Sequence, residues 1–574
     1  MTACRTHSVA LIFCVFFCAV ASITAEDSKN SKNAADTVVI HGRIYTLDSK
    51  HPWAQALAIR GDKIVAVGDD ATIAKFRGPD TKVIDAAGQL VLPGFVDCHI
   101  HFMDGSLSLG RVNLEGAKDV AEIQQRLRDY AAKHPGNEWL LGRGWDYAMF
   151  GAAMLPDKKD LDELFPDRPV FLEGYDGHTY WANSKALTLA GITRDTPDPP
   201  NGVIVRDPAT HEATGALKEA AQDLVAKAAP ELTRAERLAA LRAGIHCANE
   251  NGLTRVHSAG GDFPQLELYD ELRRHGELTL RFYIAYFMDP PEMRPKDVAA
   301  IENARKKYQD AWIDTNAVKF MVDGVIESHT AAMLEPYSDD PSLKGKLFWD
   351  PAKYSSAVAE LDKRGLQLFT HAIGERGVRT ALDAYQHAEE VNHSSDRRPR
   401  IEHIETISAT DIPRFGKLGV IASMQPLHSY PNTDTLDIWA RNAGPDRASR
   451  AWSWKSIADS GGRYAFGSDW PVVTLNPWEG LQTAVTRQTR EGTPEAGFVP
   501  SQRLTVAQAV EGYTLGAAFA GRREKTEGSL EKGKLADLII VSQNIFEIDP
   551  HKISETKVRT TIVGGQVVYQ SDAK

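Results

Sequence analysis

The chain has 574 residues, of which 43% are hydrophobic and 25% charged, and its formal net charge is -11. This length fits several average domains or one barrel with additions, and the composition excludes a disordered or multi-spanning chain. The acidic balance, without a long run of Lys and Arg, argues against nucleic acid and against an anionic membrane surface as partners.

Residues 1–25 have the pattern of a cleaved signal peptide. A weakly basic start near Arg5 precedes an apolar run at 9–20. The small residues Ala19 and Ala21 form an A-x-A cleavage pattern, and Ala25 offers a second cleavage site. The apolar run is shorter than the ~18 to 20 residues that a membrane span requires. We therefore expect export to the periplasm or the outside of the cell, with no stable membrane span after cleavage.

Cysteine usage limits the kinds of metal site. Only Cys98 and Cys247 remain after the signal peptide, so neither a disulfide scaffold nor a thiolate zinc site is expected. Any metal ion should be held by nitrogen and oxygen atoms.

The two ends of the mature chain have the same sequence pattern. Residues 36–90 alternate short β-branched runs with Gly and Asp turns, which indicates antiparallel β-structure, and residues 525–574 have the same pattern. We expect both segments to pair into one small β-sandwich domain.

Residues 91–524 alternate short apolar runs with helical patterns, which is typical of βα units and a parallel sheet. Eight such runs occur: LVLPGFVDCHIH, GLTRVHSAGG, LRFYIAYFM, AVKFMVDGV, LQLFTHAIG, RIEHIE, VIASMQPLH and YAFGSDWPV. Eight is the strand number of a (β/α)8 TIM barrel, so the fold class is α/β. The interval after the first run is far longer than one crossover helix needs, and we interpret residues 102–240 as an inserted lid or substrate-recognition subdomain.

Residue types that bind metals stand at the ends of these runs, where the active site of such a barrel forms. They are His99 and His101 in the first run, Lys319 in the fourth, His371 in the fifth, His403 in the sixth and Asp469 in the eighth. Strand alternation places His99 and His101 on one face, so both imidazoles can bind one ion. An H-x-H pair alone arises easily among 18 histidines, so the prediction depends on the whole set.

Several longer segments carry a resemblance to a known family. VLPGFVDCHIHF, THAIGERGV, IEHIE and FGSDWPV resemble the metal-dependent amidohydrolases, and the split β-domain extends the match over nearly the whole mature chain. DGHTYWANSKAL, TGALKEA and VKFMVDGVIESHTAAMLEPY are similar to the amidohydrolase 3 group, which includes N-substituted formamide deformylase and YtcJ-like proteins.

The resemblance implies a site for one or two divalent ions, with zinc expected. His99, His101 and Asp469 would bind the more buried ion, and His371 and His403 the second. Lys319 would bridge them as a carbamate, because a lysine with a lowered pKa can react with carbon dioxide, whereas an ammonium cannot bind a cation. The alternative for Lys319 is a salt bridge with Asp323.

Further residues are candidates for the substrate side of the site. His178 and Trp181, with Asp176 and Asn183, lie in the inserted segment that resembles the group's substrate loop, although turn and packing roles are equally compatible. We also expect His257, Gln425 and His428 at the barrel mouth.

The predicted reaction is hydrolysis of a carbon-nitrogen, non-peptide amide-type bond by a metal-bound hydroxide, with Asp469 moving the water proton to the leaving amine. The same site could also serve a deaminase, an esterase or lactonase, or a dipeptidase. A non-catalytic exported ligand-binding protein is the alternative from another class. We expect a small-molecule substrate, and a homodimer is a possible assembly.

Overall fold

The computed structural model describes residues 33–571 except 137, 154 and 395, so the predicted signal peptide at residues 1–25 lies outside the described residues. Within these limits, no helix has both the length and the apolar character needed to cross a bilayer.

The N-terminal segment forms strands β1–β7. Their bounds are Thr37–Ile40, Arg43–Tyr45, Trp53–Ala54, Ala56–Arg60, Lys63–Gly68, Lys82–Asp85 and Leu90–Pro93. The first barrel strand, β8, follows at Phe95–Ile100. Leu90–Pro93 and Phe95–Ile100 are fully buried, which matches the nearly continuous apolar sequence LVLPGFVDCHI.

Strands β9–β14 lie in the insertion. Their bounds are Val112–Asn113, Leu140–Trp145, Val170–Gly174, Thr179–Ala182, Gly202–Arg206 and Ala213–Glu219. They form one six-stranded sheet in the order β13-β14-β12-β11-β10-β9. The helices of this region are Phe102–Ser108, Val120–Lys133, Lys159–Asp162, Ser184–Leu189 and Gln222–Ala226. The insertion therefore has its own sheet and its own hydrophobic cluster, built around Trp145 and Trp181.

The remaining barrel strands are β15–β21, with bounds Leu253–Ser258, Arg281–Phe287, Ile313–Met321, Gln367–Ala372, Arg400–His403, Ile421–Met424 and Arg463–Phe466. Together with β8 they form an eight-stranded sheet in which sequential strands pair in parallel. The backbone nitrogen of Asp469 donates to the carbonyl of His99 at 2.7 Å, so the segment after β21 also contacts the end of β8. All eight predicted strands are present, and the TIM barrel is confirmed.

Helices connect the barrel strands and cover their outer face. They are Arg234–Glu250, Leu266–Arg274, Pro295–Lys307, Pro351–Lys363, Glu375–Asn392, Ile412–Leu418 and Trp454–Asp459, and Pro477–Thr486 follows the last strand. The side chains between helices and strands form one continuous core. Such α/β layering leaves the carboxyl ends of the strands free for a site.

Strands β22–β24, at Leu538–Val541, Val558–Val563 and Gln566–Gln570, complete the small domain. They join β7, β2 and β3 in a six-stranded sheet, which packs on a four-stranded sheet of order β5-β4-β1-β6. Every residue of β22 is buried, and each such aliphatic side chain contributes roughly 1.5–3 kcal/mol. The two chain ends thus form one sandwich, as predicted.

One expectation for this domain was wrong. The pairing is not antiparallel throughout, because β1 pairs in parallel with β6 and β2 pairs in parallel with β7. Between the two strands of each pair, the chain leaves the sheet and returns in the same direction. The residue pattern of the strands alone does not show such a connection.

Candidate metal centre

The carboxyl ends of the barrel strands bring the predicted ligand types together. His99 lies near the end of β8 and His403 at the end of β19, and Asp469 follows β21 by three residues. Register across the parallel strands places Met321 of β17 opposite His371 of β18. The site therefore forms where parallel strands end, as the sequence predicts.

The first group of close side chains consists of His99, His101 and Asp469. The Nε2 atoms of both imidazoles lie 3.3 Å from Oδ1 of Asp469. His99 is fully buried, whereas His101 faces the open side of the site. Two imidazole nitrogens and one carboxylate oxygen around a common point are a ligand set suited to zinc.

Buried acid and base groups fix the orientation of His99. Its Nδ1 lies 2.5 Å from Oε2 of Glu402, and Arg400 donates from Nε to Oε1 of the same carboxylate at 2.9 Å. Although burial raises the pKa of Glu402, Arg400 and His99 hold it well below its usual range, so the carboxylate is ionised. This partner directs Nε2 of His99 toward Asp469.

The second group consists of His403, His428 and Asp469. Oδ2 of Asp469 lies 3.8 Å from Nδ1 of His403 and 3.6 Å from Nε2 of His428. We predicted His428 as a substrate contact, but it occupies the position of a third possible ligand here. Asp469 contributes one oxygen to each group and thus stands between two candidate ion positions.

His371 lies beside this group. Its ring centroid is 4.5 Å from that of His403, while its Nε2 lies 3.2 Å from the carbonyl oxygen of Gly324. Burial first, and then the Lys319 charge, lowers the pKa of His371 well below its usual value. A neutral imidazole offers the lone pair that a metal ligand needs.

Lys319 is 3% exposed, and its Nζ lies 3.2 Å from Nε2 of His99. Burial lowers its pKa to about 8, which gives a larger neutral fraction than an ordinary lysine has. The alternative salt bridge with Asp323 does not form, because Asp323 accepts hydrogen bonds from the backbone amides of Ala332, Ile373 and Gly374 instead.

Unpartnered atoms test whether the residues fit an ion. Oδ1 of Asp469 and Nε2 of His428 are buried, and neither makes a well-directed hydrogen bond among the described residues. The two imidazole nitrogens that face Oδ1 at 3.3 Å are themselves candidate ligands. A buried carboxylate oxygen without a partner is costly unless a cation compensates it. The donor set and these two atoms together fit a divalent ion.

Backbone conformation at the centre is also unusual. His403 has a φ of 73° and Asp469 a φ of 64°, in the left-handed region that non-glycine residues seldom adopt. Such strain costs on the order of 1–3 kcal/mol per residue and collects at functional sites. The backbones of Gly467 and His99 are also packed closely here, because a side chain at Gly467 would collide with the backbone of His99.

A cavity of about 1040 Å³ lies over the centre and is lined by both the barrel and the insertion. His178 lines it, with Nδ1 at 2.9 Å from Oε2 of Glu219. Burial lowers the pKa of His178, but the Glu219 charge more than offsets this, and the pKa rises to about 9. The insertion therefore supplies an imidazolium at the mouth of the barrel.

Three other predicted substrate residues lie away from the cavity lining. Trp181 is fully buried and its indole donates to the carbonyl of Asp157, so it packs inside the insertion. Oε1 of Gln425 lies 2.9 Å from Nδ1 of His403, and this contact orients the imidazole ring.

His257 differs most from its predicted mouth position. Its Nδ1 lies 3.0 Å from Arg400, and its ring faces Tyr283 inside the barrel. Next to it lies Gly521, where a side chain would meet the His257 ring. His257 points into the barrel one residue before β15 ends, so it lies in the barrel interior beneath the metal ligands.

Sequence reasoning missed Arg400, Glu402 and Glu405. Arg400 and Glu402 alternate onto the barrel interior, and this R-x-E spacing is the signal that could have found them. Glu405 is 6% exposed, and its Oε1 lies 3.7 Å from Nδ1 of His428.

Comparison with known proteins extends this geometry. The amidohydrolase family, in the group designated Amidohydro_3, matches residues 82–569. The chain belongs to this amidohydrolase family. The resemblance seen in the sequence motifs is therefore confirmed. The match covers the barrel, the insertion, the C-terminal half of the small domain, and β6 and β7 of its N-terminal half.

Relatives of this amidohydrolase align over nearly their whole lengths. Protein LONG AFTER FAR-RED 3 of Arabidopsis thaliana is 33% identical over 93% of this chain and 92% of its own. Putative amidohydrolase YtcJ of Bacillus subtilis is 30% identical over 92% and 98%. N-substituted formamide deformylase of Arthrobacter pascens is 27% identical over 93% and 98%.

A solved structure agrees with the fold. An uncharacterized metal-dependent hydrolase from Pyrococcus furiosus superposes with a TM-score of 0.67 and 26% sequence identity, over 89% of this chain and 100% of its own. Family, fold and ligand types together support a metal-dependent hydrolase.

Proposed function

We propose that this amidohydrolase cleaves carbon-nitrogen, amide-type bonds in a small molecule. The observation that carries the proposal is the convergence of His99 and His101 on one oxygen of Asp469, each at 3.3 Å, beneath a large cavity. The similarity to N-substituted formamide deformylase supports the choice of bond.

His99, His101, His403 and Asp469 would hold the ions, with zinc expected, and His371 or His428 would complete the second position. A divalent ion bound here would lower the pKa of water toward ~7 and polarise a carbonyl oxygen. If two ions bind, a Lys319 carbamate would offer two further oxygens to them.

Asp469 is suited to move the proton. Burial raises its pKa, but His99, His101 and His403 hold it well below the usual range, so the carboxylate is ionised at neutral pH. One of its oxygens can accept the proton of the attacking water. The same proton then passes to the amide nitrogen as the C–N bond breaks, which gives an amine and a carboxylic acid, and the acid then loses its proton to solvent.

His178 can assist at the carbonyl. It carries a proton at neutral pH because of Glu219, and its ring centroid lies 5.8 Å from that of His371. An imidazolium beside the reacting carbonyl stabilises the negative charge that develops on oxygen.

The test combines metal content with a substrate panel. Purified protein, prepared without chelators, is measured by elemental mass spectrometry and assayed with N-substituted formamides, an ester, a dipeptide and an aminopurine. We expect bound zinc and amine release from the formamides. Absence of metal, even after metal is offered, overturns the hydrolase mechanism, and preferred turnover of another class reassigns the bond.

Export is a separate proposal that rests on the apolar run at 9–20. Expression of the full chain should yield mature protein outside the cytoplasm that begins after Ala21 or Ala25. An intact N-terminus in the cytoplasmic fraction would contradict it.

A further inference from the structure

One wall of the cavity carries carboxylates without counter-charges. Asp146, Glu327 and Asp434 all line the cavity. Among the described residues, none of the three has a Lys, Arg or His nitrogen within 4.0 Å. We call these three residues the acidic wall.

Two other acidic residues of the same cavity have Arg partners. Glu173 lies 3.0 Å from Nε of Arg143, and Asp289 lies 2.9 Å from Nη2 of Arg294. Asp104, Glu115, Asp176 and Asp223 also line the cavity, and in the described chain they have no such ion pair. The acidic wall is therefore distinguished by the unpartnered buried oxygen of Asp434.

Asp434 shows this lack of compensation most directly. The residue is 3% exposed, and its Oδ1 accepts a hydrogen bond from the backbone nitrogen of Ala148 at 3.3 Å. Its Oδ2 is buried and has no hydrogen-bond partner in the described chain. A buried carboxylate oxygen that lines a cavity and lacks a partner indicates a ligand that supplies one.

Asp146 lies beside Asp434, and Tyr175 lies near both Asp434 and Glu327. Burial, and then the charge of Asp434, raises the pKa of Asp146 to about 8. Burial also raises the pKa of Glu327, which accepts a hydrogen bond from the Tyr175 hydroxyl at 3.0 Å. Because its pKa is raised, Asp146 is largely protonated at neutral pH and shares a hydrogen bond with Asp434. A bound cation would instead favour the ionised forms of these carboxyl groups.

We propose that the acidic wall binds a positively charged amine or guanidinium group of the substrate. The proposal rests on the proposed function and narrows its substrate class to amides that carry a cation at the end remote from the scissile bond.

The position of the acidic wall fits this role. The electrostatic neighbours of Glu327 include Glu405, and Glu405 lies 3.7 Å from His428, which in turn lies 3.6 Å from Asp469. Cation and scissile bond would thus occupy adjacent parts of one cavity. Tyr175 adds an aromatic ring beside the wall, and such rings also attract cations.

The kinetic experiment uses a matched pair of substrates, the N-formyl derivative of putrescine and the neutral N-pentylformamide. These differ only by ammonium against methyl at the remote end. Because one charged contact is worth about tenfold or more in binding, we expect a KM about tenfold lower for the cationic member. Asp434→Asn should remove this preference and leave the KM of N-pentylformamide within about twofold.

Asp289→Asn is the control, because it removes a carboxylate of the same cavity that Arg294 already compensates. We expect it to leave both KM values unchanged. Asp146→Asn tests the same site independently. If circular dichroism shows that one of the two variants is misfolded, the other variant still tests the proposal.

Direct binding separates this inference from the proposed function. Calorimetry with butylammonium should show binding to the wild type and loss in Asp434→Asn, and butanol should not bind. Butylammonium binding should release protons at neutral pH, because a nearby positive charge lowers the pKa of Asp146. The other carboxylates that raise this pKa are those of Asp434, Glu115 and Asp176.

The outcomes are distinct. If butylammonium binds through Asp434 but no amide is hydrolysed, the proposed function fails and the acidic wall stands. If both formamides are hydrolysed alike and the variants do not discriminate, the acidic wall is overturned and the function stands. Binding of calcium that Asp434→Asn abolishes, without butylammonium binding, also overturns the proposal.

Discussion

Nδ1 of His99 lies 2.5 Å from Oε2 of Glu402, and both side chains are fully buried. A carboxylate at this distance keeps the proton on Nδ1 and leaves Nε2 as the free lone pair. The contact therefore determines which nitrogen of His99 faces Asp469. It also joins the candidate ion site to Arg400 and the barrel interior.

Glu402→Gln should weaken metal binding. An amide at this position no longer holds a full negative charge against His99, so we expect metal affinity to fall about 10- to 100-fold. Competition with a chromophoric chelator measures the affinity. Glu360→Gln, on the outer side of helix Pro351–Lys363 where Glu360 pairs with Arg364, is the control and should not change this affinity. Unchanged metal affinity in Glu402→Gln would show that the contact is only structural.

His99→Ala and Asp469→Asn should separate metal binding from proton transfer. His99→Ala removes a ligand and should lower both metal content and turnover. Asp469→Asn keeps an oxygen at the centre but loses the proton acceptor, so kcat should fall about 10²- to 10⁴-fold with much of the metal retained. Metal analysis and formamide turnover on the same samples check this. Equal activity of both variants and wild type would refute the site.

His428→Ala decides between the two roles that remain open for this residue. As a ligand, the imidazole should account for part of the second ion, and its loss should lower the metal content per chain. As a substrate contact, its loss should raise KM with unchanged metal content. Because Nε2 lies 3.6 Å from Asp469 and has no hydrogen-bond partner in the described structure, we expect loss of metal.

Lys319→Ala should lose the bridged pair and regain part of it when a short carboxylic acid is added. Acetate supplies the two oxygens that a carbamate would offer. Mild intact-mass measurement of the wild type should also show the mass of one carbon dioxide, which Lys319→Ala should lack. One equivalent of metal in the wild type, with no adduct and no rescue, would make Lys319 a supporting residue.

Asp537→Asn should destabilise the contact between barrel and small domain. Asp537 lies 2.8 Å from Nε of Arg281, which is 1% exposed, so the variant leaves a buried guanidinium without its charge partner. Breaking such a pair costs about 3–5 kcal/mol in the free energy of unfolding. Urea unfolding measures it, and Glu547→Gln, in an exposed pair with Arg43, should change little. Equal stabilities would contradict the expectation.

The sequence by itself determined the barrel and the types of ligand. Each barrel strand is a short apolar run that ends in polar residues. This alternation along the chain is visible without knowing which strands lie side by side. His99 and His101 share a face through strand alternation alone, and Asp469 follows the eighth run at a strand end. These features are local, so one chain suffices to predict them.

Only the tertiary structure decided which side chains meet. His257 and His403 both lie at or near strand ends, yet His257 points into the barrel interior and His403 reaches the ion site through a left-handed backbone. The same holds for the acidic wall, because Asp146, Glu327 and Asp434 come from three distant segments. Contacts of this kind depend on packing between remote parts of the chain, and no local pattern records them.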